Sequence, residues 1–140
     1  MSTITDLEKQ FYELYIATPP AVLQDLKIAF LNAIIAGGGS FTPTITTDAT
    51  TTRTLSASDN GRILYFTSSS PITVTTASGL GAGFNCTIIQ GGTGKVTVAE
   101  GASTTLVSYS SLFSTMGQYA VISLVAPVAD TIIAAGNLGV

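Results

Sequence analysis

Histidine and tryptophan are absent from this chain, cysteine occurs once, and only 9% of the residues carry charge. Without an imidazole there is no Ser-His-Asp or Cys-His nucleophile system, no proton shuttle near neutral pH, and no His-ligated zinc or iron. A single thiol, Cys86, allows neither an internal disulfide nor a multi-thiolate metal cluster. Five Lys and Arg against eight Asp and Glu give a formal net charge of −3. So few scattered cations cannot lay a basic stripe along phosphates, and no direct nucleic-acid binding is expected. Met1 to Gln10 is acidic and polar and lacks the basic-then-apolar order of a secretory signal, so cytoplasmic synthesis is expected. The most apolar stretch, Val22 to Ala36, is broken by Asp25, Lys27 and Asn32 and is shorter than the ~20 residues of a membrane span, so no membrane partner is expected.

What remains is 140 residues of which 46% are hydrophobic, enough for one domain with its own core and an appended arm. That hydrophobic share in a chain so poor in charge points to surface destined for burial against other subunits. Residues 1–36 read as a helical hairpin arm. Thr5 and Glu8 form a capping box, and Leu7, Phe11, Leu14 and Tyr15 then fall on one face of a helix over Asp6 to Ala17. Thr18-Pro19-Pro20 ends it, and a second helix over Ala21 to Ala36 carries Val22, Leu23, Leu26, Phe30, Ala33 and Ile34 on an apolar stripe. Gly37-Gly38-Gly39 stops that helix and opens a Gly/Thr-rich linker or extended arm over residues 37–49.

From residue 50 the composition becomes Ser/Thr-rich, with short β-branched runs between glycine turns. Strands are expected at Thr51–Ala57, Arg62–Phe66, Ile72–Thr75, Phe84–Gln90, Lys95–Ala99, Thr104–Val107, Tyr119–Ala126 and Asp130–Ala135. Asp59-Asn60-Gly61, Ser78–Gly83, Gly91–Gly94 and Ala126–Ala129 supply the turns. About eight strands at this spacing predict an antiparallel β-sandwich or jelly roll over residues 50–140. Ile72/Val74 and Val96/Val98 alternate with threonine, so each pair has one wet face. The runs Ile63–Phe66 and Ala120–Leu124 are apolar on both faces apart from Ser123, which places them centrally or beneath a covering partner.

Several motifs imitate chemistry. Gly91-Gly92-Thr93-Gly94-Lys95 lacks the earlier glycine of a phosphate loop, where Ile89 stands, and the following Ser or Thr, where Val96 stands; it reads as a turn between strands. Gly79-Leu80-Gly81-Ala82-Gly83 has neither the βαβ context nor the later acid of a dinucleotide fingerprint. Two carboxylates suffice for a glycosidase, but Asp59 and Asp130 fall at turns, where Asp bonds its own backbone. Cys86 alternates inward with Phe84 and Ile88 and reads as a small buried hydrophobe. Asn85-Cys86-Thr87 matches a glycosylation sequon, yet without a secretory route Asn85 reads as a strand residue. Phe11, Tyr12 and Tyr15 could stack on sugars, but beside Leu7 and Leu14 they read as a packing face. No catalytic, cofactor-binding or metal-binding residue is assigned.

The run Asp59–Thr67, then Ile72–Thr75, Gly79–Phe84, Ile88–Gly92, Lys95–Val98 and Gly117–Ala120, resembles a β-module of tailed-phage virion proteins found in head decoration (cement) proteins, head fibres and tail fibres. The likeness covers about Thr50 to Gly136. A small self-contained module resembles a capsid cement protein, which implies a non-enzymatic role: a jelly roll on the outer capsid surface that binds the major capsid protein and stabilises the shell. The alternative is a tail-fibre or head-fibre module that recognises the host surface. The helical arm lies outside the likeness, and its face of Leu7, Phe11, Leu14, Tyr15, Leu23, Leu26 and Phe30 is expected to be an interface, with the shell or with itself. A dimer is favoured over a trimer because two-fold closure is the commonest. Ser40 to Thr54 is expected to be free for strand addition to a sheet edge.

Overall fold

The computed structural model describes residues 24–32 and 42–140. The chain divides at Thr42/Pro43 into two units. In the first, residues 24–32 form a helix (α1) whose residues are all exposed. This falls within the expected second helix; the expected first helix, Asp6 to Ala17, lies outside the described residues.

The second unit is mainly β. Its strands are β1 (Ile45–Asp48), β2 (Thr52–Thr54), β3 (Ile63–Phe66), β4 (Ile72–Thr75), β5 (Asn85–Gln90), β6 (Val96–Ala99), β7 (Thr105–Ser108), β8 (Ser114–Thr115), β9 (Val121–Val128), β10 (Thr131–Gly136) and β11 (Leu138–Gly139). They form a six-stranded sheet in the order β1-β3-β5-β9-β10-β7 and a five-stranded sheet in the order β11-β8-β6-β4-β2. Each expected strand overlaps an observed one, and Ile72–Thr75 matches residue for residue.

The antiparallel jelly roll does not hold. In the first sheet β1, β3 and β5 pair in parallel, and in the second β2, β4 and β6 do the same. The chain therefore winds as a two-sheeted solenoid, one strand per sheet per coil, in which successive strands alternate between sheets instead of folding back on each other. Ile45 pairs with Ile63 and Ile63 with Thr87, offsets of 18 and 24 residues; Thr52 pairs with Thr73 and Thr73 with Thr97, offsets of 21 and 24. The physical reason for the correction is that glycine turns between short strands serve a hairpin and a solenoid corner equally well. Antiparallel pairing appears only after the third coil, where β9 pairs with β5 and β10, and β8 with β6 and β11. β7 runs parallel to β10 at the far edge of the six-stranded sheet.

Segment 40–54 is likewise not a free arm. β1 and β2 are built into the two sheets of their own chain, so Ser40 to Thr54 is unavailable from Ile45 onward as a donated strand.

Alternation decides the interior. Leu64, Phe66, Ile72, Val74, Ile88, Val96, Ile122, Leu124 and Ile132 are each at most 1% exposed and form a single cluster from both sheets. At about 1.5–3 kcal/mol for a fully buried aliphatic or aromatic side chain, this cluster is the main force holding the coils together. Buried hydroxyls close the corners. Thr76 and Thr104 hydroxyls share a 2.6 Å hydrogen bond, and the Gly101 N–H donates to Thr76 Oγ1 at 2.9 Å. Thr115 Oγ1 donates to the Gln90 side-chain carbonyl and accepts from the Val96 N–H at 3.0 Å. These bonds satisfy polar groups that would otherwise cost about 1–3 kcal/mol each.

Candidate functional site

The charged groups of the β-unit are occupied in holding it together. β1 and β2 are edge strands, and each turns a charged residue inward. Arg53 Nη1 donates to Asp48 Oδ2 at 2.9 Å, and Nη2 bonds Asp59 Oδ1. Asp59, 1% exposed, also accepts the Ser56 N–H at 3.0 Å through Oδ2. Asp48 accepts from the Thr50 N–H at 2.8 Å and from the Thr50 hydroxyl. Burial pushes the Asp48 carboxyl up, but the Thr50 hydroxyl and amide, with the Arg53 guanidinium, outweigh it and hold it below its ordinary value. The hydrogen bond to Asp59 leads the effects that raise Arg53, against burial.

The carboxylates weighed in the sequence as a glycosidase pair therefore have other work. Asp59 faces Arg53 within the fold. Asp130, itself at φ 60°, is engaged elsewhere, its Oδ1 accepting the Gly79 N–H at 2.8 Å. Glu100 accepts the Leu106 N–H at 2.8 Å. Among the described residues no group of three or more His, Cys, Asp or Glu is placed to hold a metal ion.

The glycine loops also resolve into architecture. The Gly91 and Gly92 N–H groups both donate to the Phe66 carbonyl, at 2.7 and 2.9 Å, and the Gly94 N–H donates to the Ser68 carbonyl at 3.0 Å. Amides that a phosphate would need are thus spent on the preceding coil. A Cβ at Gly92 or Gly94 would overlap the carbonyls of Ser68 and Ser70, so glycine is there because the two corners stack in contact. In the Gly79–Gly83 loop, all three glycines take positive φ, at 84°, 79° and 87°, the backbone shape that makes this a turn. Cys86 is 3% exposed, and burial, with the Asp59 charge, pushes its thiol up to about 12.

With the charges tied up, the two outer sheet faces remain, and they differ. Across the six-stranded sheet the register aligns Thr47, Tyr65, Ile89 and Val121 in one row. A second row holds Ile45, Ile63, Thr87 and Ser123, and a third Asn85, Val125, Ile133 and Val107. Ile45 is 62% exposed, and Val107, Val121, Val125 and Ile133 lie between 39% and 44%. No outward residue of these strands is charged. The five-stranded sheet instead aligns Thr52, Thr73, Thr97 and Ser114, with Thr97 and Ser114 hydroxyls 2.8 Å apart. One face is oily and the other is a hydroxyl ladder.

Of the expected interface residues, Leu26 and Phe30 lie on α1 and are 47% and 64% exposed, as are Ile28 and Leu31 at 48% and 57%. Leu7, Phe11, Leu14, Tyr15 and Leu23 lie outside the described residues. Ile63–Phe66 and Ala120–Leu124, expected to lie centrally or beneath a covering partner, fall on β3 and, from Val121, on β9, both inner strands of the six-stranded sheet. Among the described residues no helix is long and apolar enough to cross a membrane. No protein-family model matches this chain, and no curated protein matches it.

Proposed function

We propose that this protein is a non-enzymatic structural component of a tailed-phage virion, a capsid decoration protein that binds the major capsid protein on the outer shell and stabilises it. The observation that carries this reading is the uncharged, apolar outer face of the six-stranded sheet, a surface of the kind that protein–protein contact covers. Leu26 and Phe30, exposed on α1, offer a second contact; Leu7, Phe11, Leu14, Tyr15 and Leu23, expected to share it, lie outside the described residues. Burial of about 800 Å² per partner, repeated over many shell subunits, supplies avidity without any bond being made or broken. The carboxylates of the β-unit support a mechanical role, since each is held by Arg53 or by a backbone amide.

Sedimentation of the purified chain with empty shells tests the proposal. A decoration protein binds in hundreds of copies per head; no binding to shells removes the reading. The alternative, a head-fibre or tail-fibre module that recognises the host surface, draws on the exposed rings of Tyr109 and Tyr119, which could stack on sugars. It predicts few copies per particle, co-purifying with fibres.

A further inference from the structure

We propose that Asn60 and Gly61 form a self-modification site that the fold holds shut. When the turn before β3 opens, the Gly61 nitrogen attacks the Asn60 side chain, and the aspartyl and isoaspartyl products record that opening. The site is independent of the reading as a shell component.

The sequence supplies the reactive pair. Asparagine stands at positions 32, 60, 85 and 137, and only at 60 is the next residue glycine. Glycine has no side chain to shield its amide, and it lets the backbone bend into a ring. Asn60 is exposed, so water and hydroxide reach it. The chemistry needs nothing else. The Gly61 amide gives its proton to solvent base, the nitrogen bonds to Asn60 Cγ, and the side-chain nitrogen takes up a proton and leaves as ammonia. Water then opens the five-membered succinimide. Attack at the side-chain carbonyl gives aspartate; attack at the backbone carbonyl gives isoaspartate, in which the main chain runs through Cβ and Cγ. Overall one water is consumed and one ammonia is released.

Three features of the fold oppose ring closure. Asp59 to Arg62 form a type II turn, with Asn60 at φ −58° and ψ 129°, Gly61 at φ 71°, and the Arg62 N–H donating to the Asp59 carbonyl at 3.1 Å. Closing the ring requires the Gly61 nitrogen to swing to the side of Asn60 Cβ, which for an L-residue means a negative ψ, and the turn holds it on the other side. The proton that must leave is engaged, because the Gly61 N–H donates to the Asn85 carbonyl at 2.7 Å. The side chain is engaged as well: Asn60 Oδ1 accepts the Asn85 N–H at 3.1 Å. Both reacting groups are thus clasped by the backbone of one residue, the first of β5. Asp59 bonded to Arg53 and the Arg62 Nε donating to the Ser58 carbonyl at 2.7 Å hold the turn from either side.

The isoaspartyl product cannot close the turn as before. Its extra main-chain carbon moves Gly61 off the Asn85 carbonyl, just below the pairing of Ile63 with Thr87. Opening followed by reaction is therefore a one-way step.

The test compares the full chain at mildly alkaline pH, folded in buffer and unfolded in urea, by ammonia release, peptide mapping and labelling with an isoaspartate methyltransferase. Both arms use the native sequence, so no substitution has to fold. Conversion at Asn60 should be at least about 10-fold faster in the unfolded chain, since two hydrogen bonds and the turn no longer oppose it. Within the unfolded chain it should outrun conversion at Asn32, Asn85 and Asn137. After urea is removed, isoaspartyl chains should show a lower urea midpoint than Asn60→Asp, which carries the added charge without the added carbon. Equal rates in the folded and unfolded chain, no preference for Asn60 in the unfolded chain, or an isoaspartyl midpoint equal to that of Asn60→Asp overturns the proposal.

Discussion

Arg53 shows how few charges this chain needs. Its guanidinium lies between Asp48 and Asp59, and replacing it with methionine would leave the buried Asp59 carboxylate without its cation. Removing one partner of a fully buried pair costs about 3–5 kcal/mol. Arg53 keeps 23% side-chain exposure, so a loss of roughly 2 kcal/mol is expected, read as a lower urea midpoint with an unchanged slope. Asp48 sets a pH dependence. Its folded carboxyl is held below the ordinary value, so its contribution is present above the unfolded value of about 3.9 and is lost as pH falls below it. Asp48→Asn should therefore flatten the acid side of the stability profile, measured by urea unfolding from pH 5 down to pH 2. Cys86, with its thiol pushed up to about 12, should resist a thiol reagent at pH 8 in the native protein and react fully once unfolded.

At the level of elements, the corners test the solenoid. Gly94→Ala would drive a methyl group into the Ser70 carbonyl of the preceding coil, an overpacking expected to cost about 2–3 kcal/mol. Gly79→Ala meets no atom within 4 Å and is charged only for its positive φ, about 1–2 kcal/mol. Thermal denaturation should rank Gly94 above Gly79; the reverse order would mean that the corners do not stack. The strands themselves were legible, because β-branched alternation such as Ile72-Thr73-Val74-Thr75 is a local signal that burial obeys. Pairing was not, since parallel and antiparallel neighbours draw on the same residues. No repeat announced the coils either, because 18-, 21- and 24-residue offsets share no motif. β1, β8 and β11 escaped notice for simpler reasons: β8 and β11 are two residues long, too short to show a period, and β1, Ile45-Thr46-Thr47-Asp48, has one apolar residue and so no alternation. The candidate face was half visible, as two runs apolar on both sides; what aligned them into one surface was the register.

For the whole molecule, the buried hydrophobic cluster among the described residues draws every member from the β-unit, Leu55 through Ala134. Residues 43–140 alone should then unfold cooperatively, with a melting temperature within a few degrees of the full chain, as scanning calorimetry would show. An unfolded fragment would instead make the arm part of the core. The two outer faces give the unit a polarity, with Ile and Val on one side and Thr on the other. The insertion of β9 and β10 between β5 and β7 has a separate consequence for synthesis on the ribosome. Coils one to three can close as they emerge, but β7 has no sheet neighbour until β10 has been made. A nascent chain halted before Val121 would expose the raw flank of β5 and a stranded β7, so it is β9 and β10, made after all three coils, that seal the six-stranded sheet.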